Sequence, residues 1–188
     1  MPPRQAVTTH TAAALLRDGG IVAHPTEAVW GLGCDPLDEA ATRRLLALKQ
    51  RDAGKGLILV AASVDQFTSL IDWEAVPADQ RAAVIASWPG PHTWILPATA
   101  AVPVWIRGDH AGVAVRVSAH PPVIALCTAF GGPMVSTSAN VAGAPAPRRL
   151  SAMAPGIHAG VDAVLAGDTG DLASPTAIRD ALTGTILR

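Results

Sequence analysis

The stretch that decides the fold is GLILVAA at Gly56–Ala62, a continuous run without a polar side chain. Such a run is typical of a strand that is buried on both faces of its sheet. Just before it, Asp38–Gln50 carries Ala41, Leu45 and Leu48 at positions i, i+4 and i+7. That spacing predicts an amphipathic helix, because these positions lie on one helical face. The sequence therefore predicts a helix followed by a buried strand in this central segment.

Outward from this centre, the sequence alternates between predicted helices and strands. A capping box at Ser63 and Gln66 predicts a helix that continues to about Ile71. Some strands follow one another with no helix between them, which favours an α/β fold with a mixed parallel and antiparallel sheet. The 188 residues contain no linker-like stretch and predict a single domain over residues 1–188. The other expected helices are His10–Asp18, Pro77–Trp88 and Pro122–Phe130, and the other expected strands are Ile21–His24, His92–Leu96, Gly112–Ser118, Met134–Ser138, Ala163–Ala166 and Thr176–Leu182.

The composition excludes several broad classes of protein. Hydrophobic residues make up 49% and charged residues 15%, which excludes a disordered chain. No apolar run approaches the roughly 18 residues that a bilayer span needs, and the first residues lack the apolar segment of a signal peptide. We therefore expect a cytoplasmic protein. Cys34 and Cys127 lie far apart and are expected to be small buried hydrophobic residues in a reducing compartment.

Common catalytic motifs are missing from this sequence. It contains no GxxxxGK[ST], GxGxxG, HExxH or GxSxG pattern, so the usual phosphate-loop, dinucleotide, zinc-protease and hydrolase signatures are excluded. The six histidines are scattered, with no pair at metal-ligand spacing on a helix. We expect no metal site built by the protein.

Three cations, Lys49, Arg51 and Lys55, lie where the central helix ends and the buried strand begins. One interpretation is a solvated helix C-terminus, where positive charge is favourable. The other is a polyphosphate clamp, because Arg offers a bidentate fork and Lys a point charge. Gly54 and Gly56 would let the backbone approach such a ligand closely.

Two further segments carry alternating polar side chains. In an extended Met134–Asn140, the side chains of Ser136, Ser138 and Asn140 would share one face and could hold a ribose or phosphate; a solvated sheet face is the alternative. In Gly112–Ser118, the valines form one face, and Arg116 lies on the other between small neighbours. An arginine so placed either reaches solvent or grips a carboxylate.

Six ordered motifs together make the chain resemble the YrdC-like threonylcarbamoyl-AMP synthase family, in its short bacterial single-domain form. The resemblance runs from about Arg17 to the end of the chain. The motifs are PTEAVWGLG at Pro25–Gly33, LKQRDAGKGLIL at Leu48–Leu59, WPGPHTWIL at Trp88–Leu96, VAVRVSAHP at Val113–Pro121, STSANVAGAP at Ser136–Pro145 and SPTAIRDALTG at Ser174–Gly184.

The resemblance implies a YrdC-like fold, in which a twisted mixed sheet with helices surrounds a large concave basic cavity. It implies that L-threonine, bicarbonate and ATP are converted into threonylcarbamoyl-AMP and pyrophosphate. This product feeds the threonylcarbamoyladenosine modification of tRNA next to the anticodon. ATP would be a substrate, and Mg²⁺ would arrive with it, because no carboxylate cluster marks a protein site.

The same resemblance implies roles for particular residues. Lys49 and Arg51 would be catalytic, by neutralising the triphosphate and the departing pyrophosphate. The ATP-binding set would comprise Lys49, Arg51, Lys55, Ser136, Ser138 and Asn140. The threonine-binding set would comprise Thr26, Arg116 and Thr176, with Arg116 on the substrate carboxylate.

Two alternatives remain open at this point. One is a non-catalytic RNA-binding or tRNA-binding module that uses the same basic cavity; the other is a nucleotide-binding paralogue with a different product. The net charge of −1 argues against the RNA module, because affinity for RNA phosphates needs clustered Lys and Arg. The expected partners are the downstream tRNA threonylcarbamoyltransferase machinery and, weakly, tRNA itself, with no membrane.

Overall fold

A computed structural model describes residues 6–174 and 176–187; Pro175, within the sixth motif, lies outside them, as do the N-terminal residues discussed above. The chain forms a mixed α/β structure. The helices are α1 Thr9–Arg17, α2 Glu39–Lys49, α3 Ala78–Ala86, α4 Val104–Arg107, α5 Pro121–Phe130 and α6 Pro155–Gly160. The strands are β1 Ala6–Val7, β2 Val22–Pro25, β3 Trp30–Gly33, β4 Ile58–Ala61, β5 His92–Pro97, β6 Gly112–Val117, β7 Met134–Val135, β8 Thr137–Ser138, β9 Ala163–Leu165 and β10 Ala177–Asp180.

The strands form two sheets, each with parallel and antiparallel pairs. Sheet 1 has the order β1-β9-β2-β3-β8, in which β3 is antiparallel to both of its neighbours. Sheet 2 has the order β10-β5-β6-β4-β7, in which β4 and β6 are parallel while β5–β6 and β4–β7 are antiparallel. The expectation of mixed pairing is confirmed, and the structure divides the strands between two sheets.

The predicted strand Met134–Ser138 is wrong as one continuous element. Its two halves, β7 and β8, are consecutive in sequence but pair with β4 of sheet 2 and β3 of sheet 1, respectively. The chain crosses between the sheets at Ser136, whose backbone N–H donates to the Ile58 carbonyl at 2.8 Å. The crossing places the polar Ser136–Ser138 stretch at the junction of both sheets.

Burial of alternate residues explains how the central strands pack. In β6, Val113, Val115 and Val117 are at most 1% exposed and join the main hydrophobic core. The apolar run of β4 belongs to two cores, since Leu59 faces the main core and Val60 a second core beneath α1 and α5. This strand is therefore buried on both faces, as its sequence predicts.

Helix α2 ends on Lys49, the first cation of the basic motif, and Arg51 follows just after its C-cap. Asp38 caps its N-terminus by accepting a hydrogen bond from the Ala41 N–H at 2.9 Å. Its C-cap is Gln50, which takes the left-handed conformation with φ 50°. This cap turns the chain at the end of the helix, so that Lys49 and Arg51 leave in different directions.

One local prediction made from a capping pattern is wrong. The capping box at Ser63 does not open an α-helix; a 3₁₀ turn forms at Val64–Phe67 without a cap from Ser63. Gln66 instead accepts from the Ala62 N–H at 2.8 Å and donates to the Cys127 carbonyl at 3.2 Å, so tertiary contacts use its amide.

Two glycine-containing loops pack directly on each other and bring distant basic residues together. Leu57 N–H donates to the Ile106 carbonyl at 2.9 Å, and Asp109 N–H donates to the Gly54 carbonyl at 3.0 Å. Gly108 has φ +64°, and a Cβ there would lie 2.5 Å from the Gly54 carbonyl oxygen. Only glycine fits this contact, which joins the basic motif to the end of α4.

Both cysteines are buried free thiols, as expected from the sequence. Burial raises the pKa of Cys34 and of Cys127 to about 12, so each remains protonated at neutral pH. Among the residues described, no helix combines the length and apolar character that a membrane span requires.

Candidate functional site

A cavity of about 540 Å³ opens where the two sheets meet. This volume lies within the range of small-molecule sites, about 300–1,000 Å³. Its walls come from β3 and β8 of sheet 1 and from β4, β5, β6 and β10 of sheet 2. Most of the site residues predicted from the sequence line it: Thr26, Arg51, Lys55, Arg116, Ser136, Ser138 and Thr176.

One wall of the cavity is basic. Arg51 donates from Nη2 to the Gly56 carbonyl at 2.9 Å, which holds its guanidinium beside the glycine loop, and Lys55 is exposed at the rim. The structure adds Arg107 and His110, which line the same wall. Arg107 donates from Nη1 to the His110 carbonyl at 2.9 Å. Sequence reasoning missed both, because only the contact between the two glycine loops brings them to the basic motif.

Lys49 lies elsewhere than predicted. Its side chain is 2% exposed and does not line the cavity; its Nζ donates to the carbonyl oxygens of Ser138 and Asn140. In return, the Ala142 N–H donates to the Lys49 carbonyl at 2.8 Å. Burial, and to a lesser extent the Arg51 charge, lower the pKa of Lys49 to about 8. The lysine therefore ties α2 to the polar segment after β8, just behind the cavity wall.

The polar segment itself also differs from the predicted alternation. Ser136, Thr137 and Ser138 all line the cavity, whereas Asn140 does not. The Asn140 amide donates to the Ala144 carbonyl at 2.5 Å and to the Val141 carbonyl at 3.1 Å, so it closes a local turn. Alternation fails here because the chain changes sheets at Ser136 and does not continue as one strand.

The end of the cavity beside the last residues of β6 holds a buried ion pair. Arg116, on the face of β6 opposite the valines, lines the cavity with Ala114 as predicted. Its Nη1 lies 3.0 Å from Oε2 of Glu27, and the two side chains are 8% and 10% exposed. Ser118 donates its hydroxyl to Oε1 of the same carboxylate at 2.7 Å. Sequence reasoning missed Glu27, although it lies within the first motif.

Hydroxyl groups complete this end of the cavity. Thr26 donates its hydroxyl to the Val29 carbonyl at 2.7 Å, which closes the turn between β2 and β3. The hydroxyls of Thr93 and Thr176 lie 2.9 Å apart. All three residues line the cavity. Thr26, Arg116 and Thr176, the predicted threonine-binding set, thus line the same cavity.

His24 is a fully buried residue beside this end of the site. A Cβ on Gly31 would lie 3.0 Å from its Cε1, so the imidazole packs on glycine backbone. Burial lowers the pKa of His24 to about 4, and the Arg116 charge acts in the same direction. The imidazole is therefore neutral in the folded protein at neutral pH.

Folding stability is expected to fall as the pH drops from about 6.5 towards 4. An unfolded chain protonates His24 near pH 6.5, whereas the folded protein does so only near pH 4. Within that window the unfolded state binds the extra proton, so this residue contributes a slope of up to about 1.4 kcal/mol per pH unit. Urea unfolding at pH 7, 6, 5 and 4.5 measures it. His24→Leu should lose this slope, and an unchanged slope in that variant would contradict the assignment.

The described part of the chain contains no group of three or more His, Cys, Asp or Glu side chains arranged to hold a metal ion. Asp180 lines the cavity, but its Oδ1 accepts from the N–H groups of Leu182 and Thr183, both at 2.9 Å. These residues do not fit a resident magnesium ion.

Known proteins resemble this chain along almost its whole length. The family model described as "Telomere recombination", which covers the Sua5, YciO and YrdC proteins, matches residues 14–188. The threonylcarbamoyl-AMP synthase of Xanthomonas euvesicatoria pv. vesicatoria (strain 85-10) is 57% identical over 177 residues, which cover 94% of this chain and 95% of that protein. The synthase of Xanthomonas oryzae pv. oryzae (strain PXO99A) is 54% identical over 182 residues, 97% of each chain.

Solved structures agree with this similarity. P. abyssi Sua5 in complex with L-threonine superposes with a TM-score of 0.84 at 32% identity over 92% of this chain. The match covers 50% of the P. abyssi protein, so this chain spans about half the length of that relative. E. coli YciO has the same fold, with a TM-score of 0.84 at 24% identity. Because the family model and relatives more than 50% identical both extend over nearly all of its length, this chain belongs to the Sua5/YciO/YrdC family.

Proposed function

We propose that this protein is a threonylcarbamoyl-AMP synthase, which joins L-threonine, bicarbonate and ATP and releases pyrophosphate. The observation that carries the proposal is one cavity with two chemically different ends. A basic wall with adjacent hydroxyls suits a triphosphate, and a buried arginine with threonine hydroxyls suits an amino acid. The names of the Xanthomonas relatives and the threonine bound to P. abyssi Sua5 support the same activity.

The proposed chemistry has two steps that balance without a covalent enzyme intermediate. First, the threonine amine attacks bicarbonate or its carbon dioxide, which forms a carbon–nitrogen bond and gives an N-carboxylate with loss of water or a proton. Second, one oxygen of that carboxylate attacks the α-phosphorus of ATP, and the bond to the β-phosphate oxygen breaks to release pyrophosphate. The enzyme is accordingly a nucleotidyltransferase. Positioning and charge stabilisation supply the catalysis in reactions of this type.

Each end of the cavity has its own role in the proposal. Arg51 and Lys55 neutralise the triphosphate and the charge that develops on the pyrophosphate, while Ser136 and Ser138 hold phosphate or ribose oxygens. Arg116 takes the threonine carboxylate, with Thr26 and Thr176 beside it. Lys49 and Asn140 act differently from the sequence-based expectation, because both hold the polar segment in place from behind the wall. Mg²⁺ enters with the nucleotide, since the described residues form no cluster for it.

The proposed function is tested by measuring pyrophosphate release from ATP with each substrate omitted in turn. We expect release only when threonine and bicarbonate are both present, and threonylcarbamoyl-AMP should appear by mass spectrometry. Release without threonine would indicate a nucleotide hydrolase. Release with threonine in carbon-dioxide-free buffer would indicate formation of a simple aminoacyl-adenylate. Either result would overturn the proposal.

ATP binding is expected to weaken between pH 7 and pH 9 because Lys49 loses its charge. Its pKa of about 8 means that the ammonium is mostly protonated at pH 7 and mostly neutral at pH 9. Loss of one nearby positive charge should raise the Kd for ATP about tenfold. Calorimetry without threonine measures this Kd, because the substrate amine is then absent.

Lys49→Met should bind ATP more weakly at pH 7, and its Kd for ATP should not change with pH. Lys55→Met, which removes a cation at the rim, should keep the pH dependence; if Lys49→Met also kept it, Lys49 would not be its source.

The product defines the wider role. Threonylcarbamoyl-AMP would be passed to the tRNA threonylcarbamoyltransferase machinery for modification next to the anticodon, and we propose that the enzyme acts in the cytoplasm. Direct tRNA binding would be weak and strongly salt-dependent, because the cations form one local wall in a chain of net charge −1.

A further inference from the structure

Glu27 is a buried acid that no part of the proposed chemistry uses. It lies in the turn between β2 and β3, and its backbone is fixed on both sides. The Gly170 N–H donates to the Thr26 carbonyl at 2.9 Å, and the Leu172 N–H donates to the Glu27 carbonyl at 3.1 Å. Its side chain does not line the cavity; it lies behind the wall and contacts Arg116, which does.

The two carboxylate oxygens of Glu27 make different contacts. Oε1 accepts the Ser118 hydroxyl at 2.7 Å, whereas Oε2 lies 3.0 Å from Nη1 of Arg116 as an ion pair without hydrogen-bond geometry. Ser118 is itself held, because its Oγ accepts from the His120 N–H at 3.1 Å. Burial raises the pKa of the Glu27 carboxyl, but the Arg116 charge, the Ser118 hydroxyl and smaller contributions from the Glu27 backbone and His120 together lower it below its usual value. Glu27 is therefore ionised at neutral pH, and the pair with Arg116 carries no net charge.

The basic wall at the other end has a different charge balance. In the part of the chain that the structure describes, neither Lys55 nor Arg107 lies within 4 Å of a carboxylate. A polyphosphate in this cavity could contact Arg116 as well as the basic wall, because arginine binds phosphate and carboxylate with the same bidentate fork. A buried anion beside Arg116 would oppose binding of the triphosphate at the amino-acid end.

We propose that Glu27 is a positioning and specificity residue, which holds the guanidinium of Arg116 for the threonine carboxylate and lowers its affinity for polyphosphate. This inference rests on the proposed function. Repulsion from Glu27 grows with the charge of the ligand, since Coulomb energy is proportional to each charge. A carboxylate carries one negative charge and pyrophosphate about three, so the same buried anion disfavours pyrophosphate far more than it disfavours threonine. Arg116 keeps its fork geometry but becomes selective for a singly charged ligand.

Glu27→Gln tests this directly, because the amide keeps the size of the side chain and removes its charge. We expect the KM for threonine to rise about 2- to 10-fold, because Arg116 loses the contact that orients it and this loss outweighs the relief of repulsion. Pyrophosphate, used as a probe in calorimetry, should bind about tenfold more tightly than to the unchanged protein. Added threonine should now weaken pyrophosphate binding at least fivefold, because the two ligands compete for Arg116.

In the unchanged protein, threonine should leave pyrophosphate binding within twofold. Asp162→Asn is the matched control, since it removes a carboxylate that is ion-paired with Arg44 and does not line the cavity. This variant should have a lower melting temperature and unchanged affinities for threonine and pyrophosphate. If Glu27→Gln behaved like this control, with lower stability and unchanged threonine and pyrophosphate binding, Glu27 would be purely structural and the inference wrong.

A second variant keeps the test decisive should Glu27→Gln fail to fold. Ser118→Ala removes one of the two contacts that hold the carboxylate and leaves the ion pair in place. The threonine KM should rise about two- to fivefold, and threonine should weaken pyrophosphate binding, by less than in Glu27→Gln. If neither quantity changed, the inference would be overturned. Failure of the proposed function is distinguishable, because it would show as absent threonine-dependent pyrophosphate release in the unchanged protein.

Discussion

Replacing Arg51 with alanine is expected to lower kcat/KM for ATP by about 100- to 1,000-fold, the usual loss when one preorganised donor to transition-state charge is removed. The guanidinium lines the basic wall, and its bond to the Gly56 carbonyl holds it in place before substrate binds. Because it is already oriented, little reorganisation is needed as charge develops on the departing pyrophosphate. Steady-state rates of pyrophosphate release at varied ATP measure the effect.

Folding should be only mildly affected by the same change. Arg51 is half-buried and donates to one backbone carbonyl, so the free energy of unfolding should fall by about 1 kcal/mol. Arg43→Ala is the matched control, because it removes an exposed arginine of α2 that is paired with Glu39 and does not line the cavity. It should leave the rate unchanged. Should Arg51→Ala unfold much more easily yet retain its activity, Arg51 would be structural and the triphosphate assignment wrong.

The sequence predicts those parts of the fold that depend on local periodicity. Helix α2 and strand β4 follow from apolar spacing, and β6 follows from strict alternation of valines. Alternation also places Arg116 on the opposite face, where the structure has it lining the cavity. These predictions succeed because each depends only on neighbours within one element, and burial of the apolar face then fixes the register.

Contacts between distant segments account for what the sequence could not predict. Lys49 looks like a cation at an exposed helix end, but its partners are carbonyls 89 and 91 residues further along the chain. Burial of an ammonium is tolerated there because two backbone acceptors replace water. Glu27 is a second example. Its hydrogen-bond partner Ser118 is 91 residues away, and nothing in the motif around Glu27 indicates that it forms a buried ion pair.

The same limit applies to the basic wall. Arg107 and His110 join it only because Gly108 allows two backbones to touch, and no residue pattern around them indicates this contact. Sequence motifs thus identify which segments carry function, whereas the pairing of loops decides which side chains meet. In this protein the motif residues and the added residues divide one cavity into a cationic end and a charge-balanced end.

Arg116→Ala is expected to raise the threonine requirement about 10- to 150-fold while ATP binding stays within about threefold. A hydrogen bond to a charged group contributes roughly 1.5–3 kcal/mol, which corresponds to that range of affinity. ATP is expected to be spared because Arg116 is neutralised by Glu27 and lies beside Val60, further along β4 than the Gly56 carbonyl that holds Arg51. Titration of threonine at saturating ATP measures the first effect, and calorimetry with ATP alone measures the second.

Because Arg116 is ion-paired with Glu27, its replacement is also expected to lower the free energy of unfolding, an effect that the sequence did not predict. Removing Arg116 leaves the Glu27 carboxylate buried without its cation, a change that typically costs about 3–5 kcal/mol. Lower stability reduces the amount of folded enzyme and so the apparent kcat, but it leaves the threonine KM of the folded fraction untouched. The KM is therefore the quantity that separates binding from folding.

Arg116→Lys supplies the control, because an ammonium can still neutralise Glu27 but cannot form the bidentate fork. It should recover most of the stability and only part of the threonine affinity. If both variants kept the original threonine KM, Arg116 would serve the ion pair alone, and the amino acid would have to bind elsewhere in the cavity.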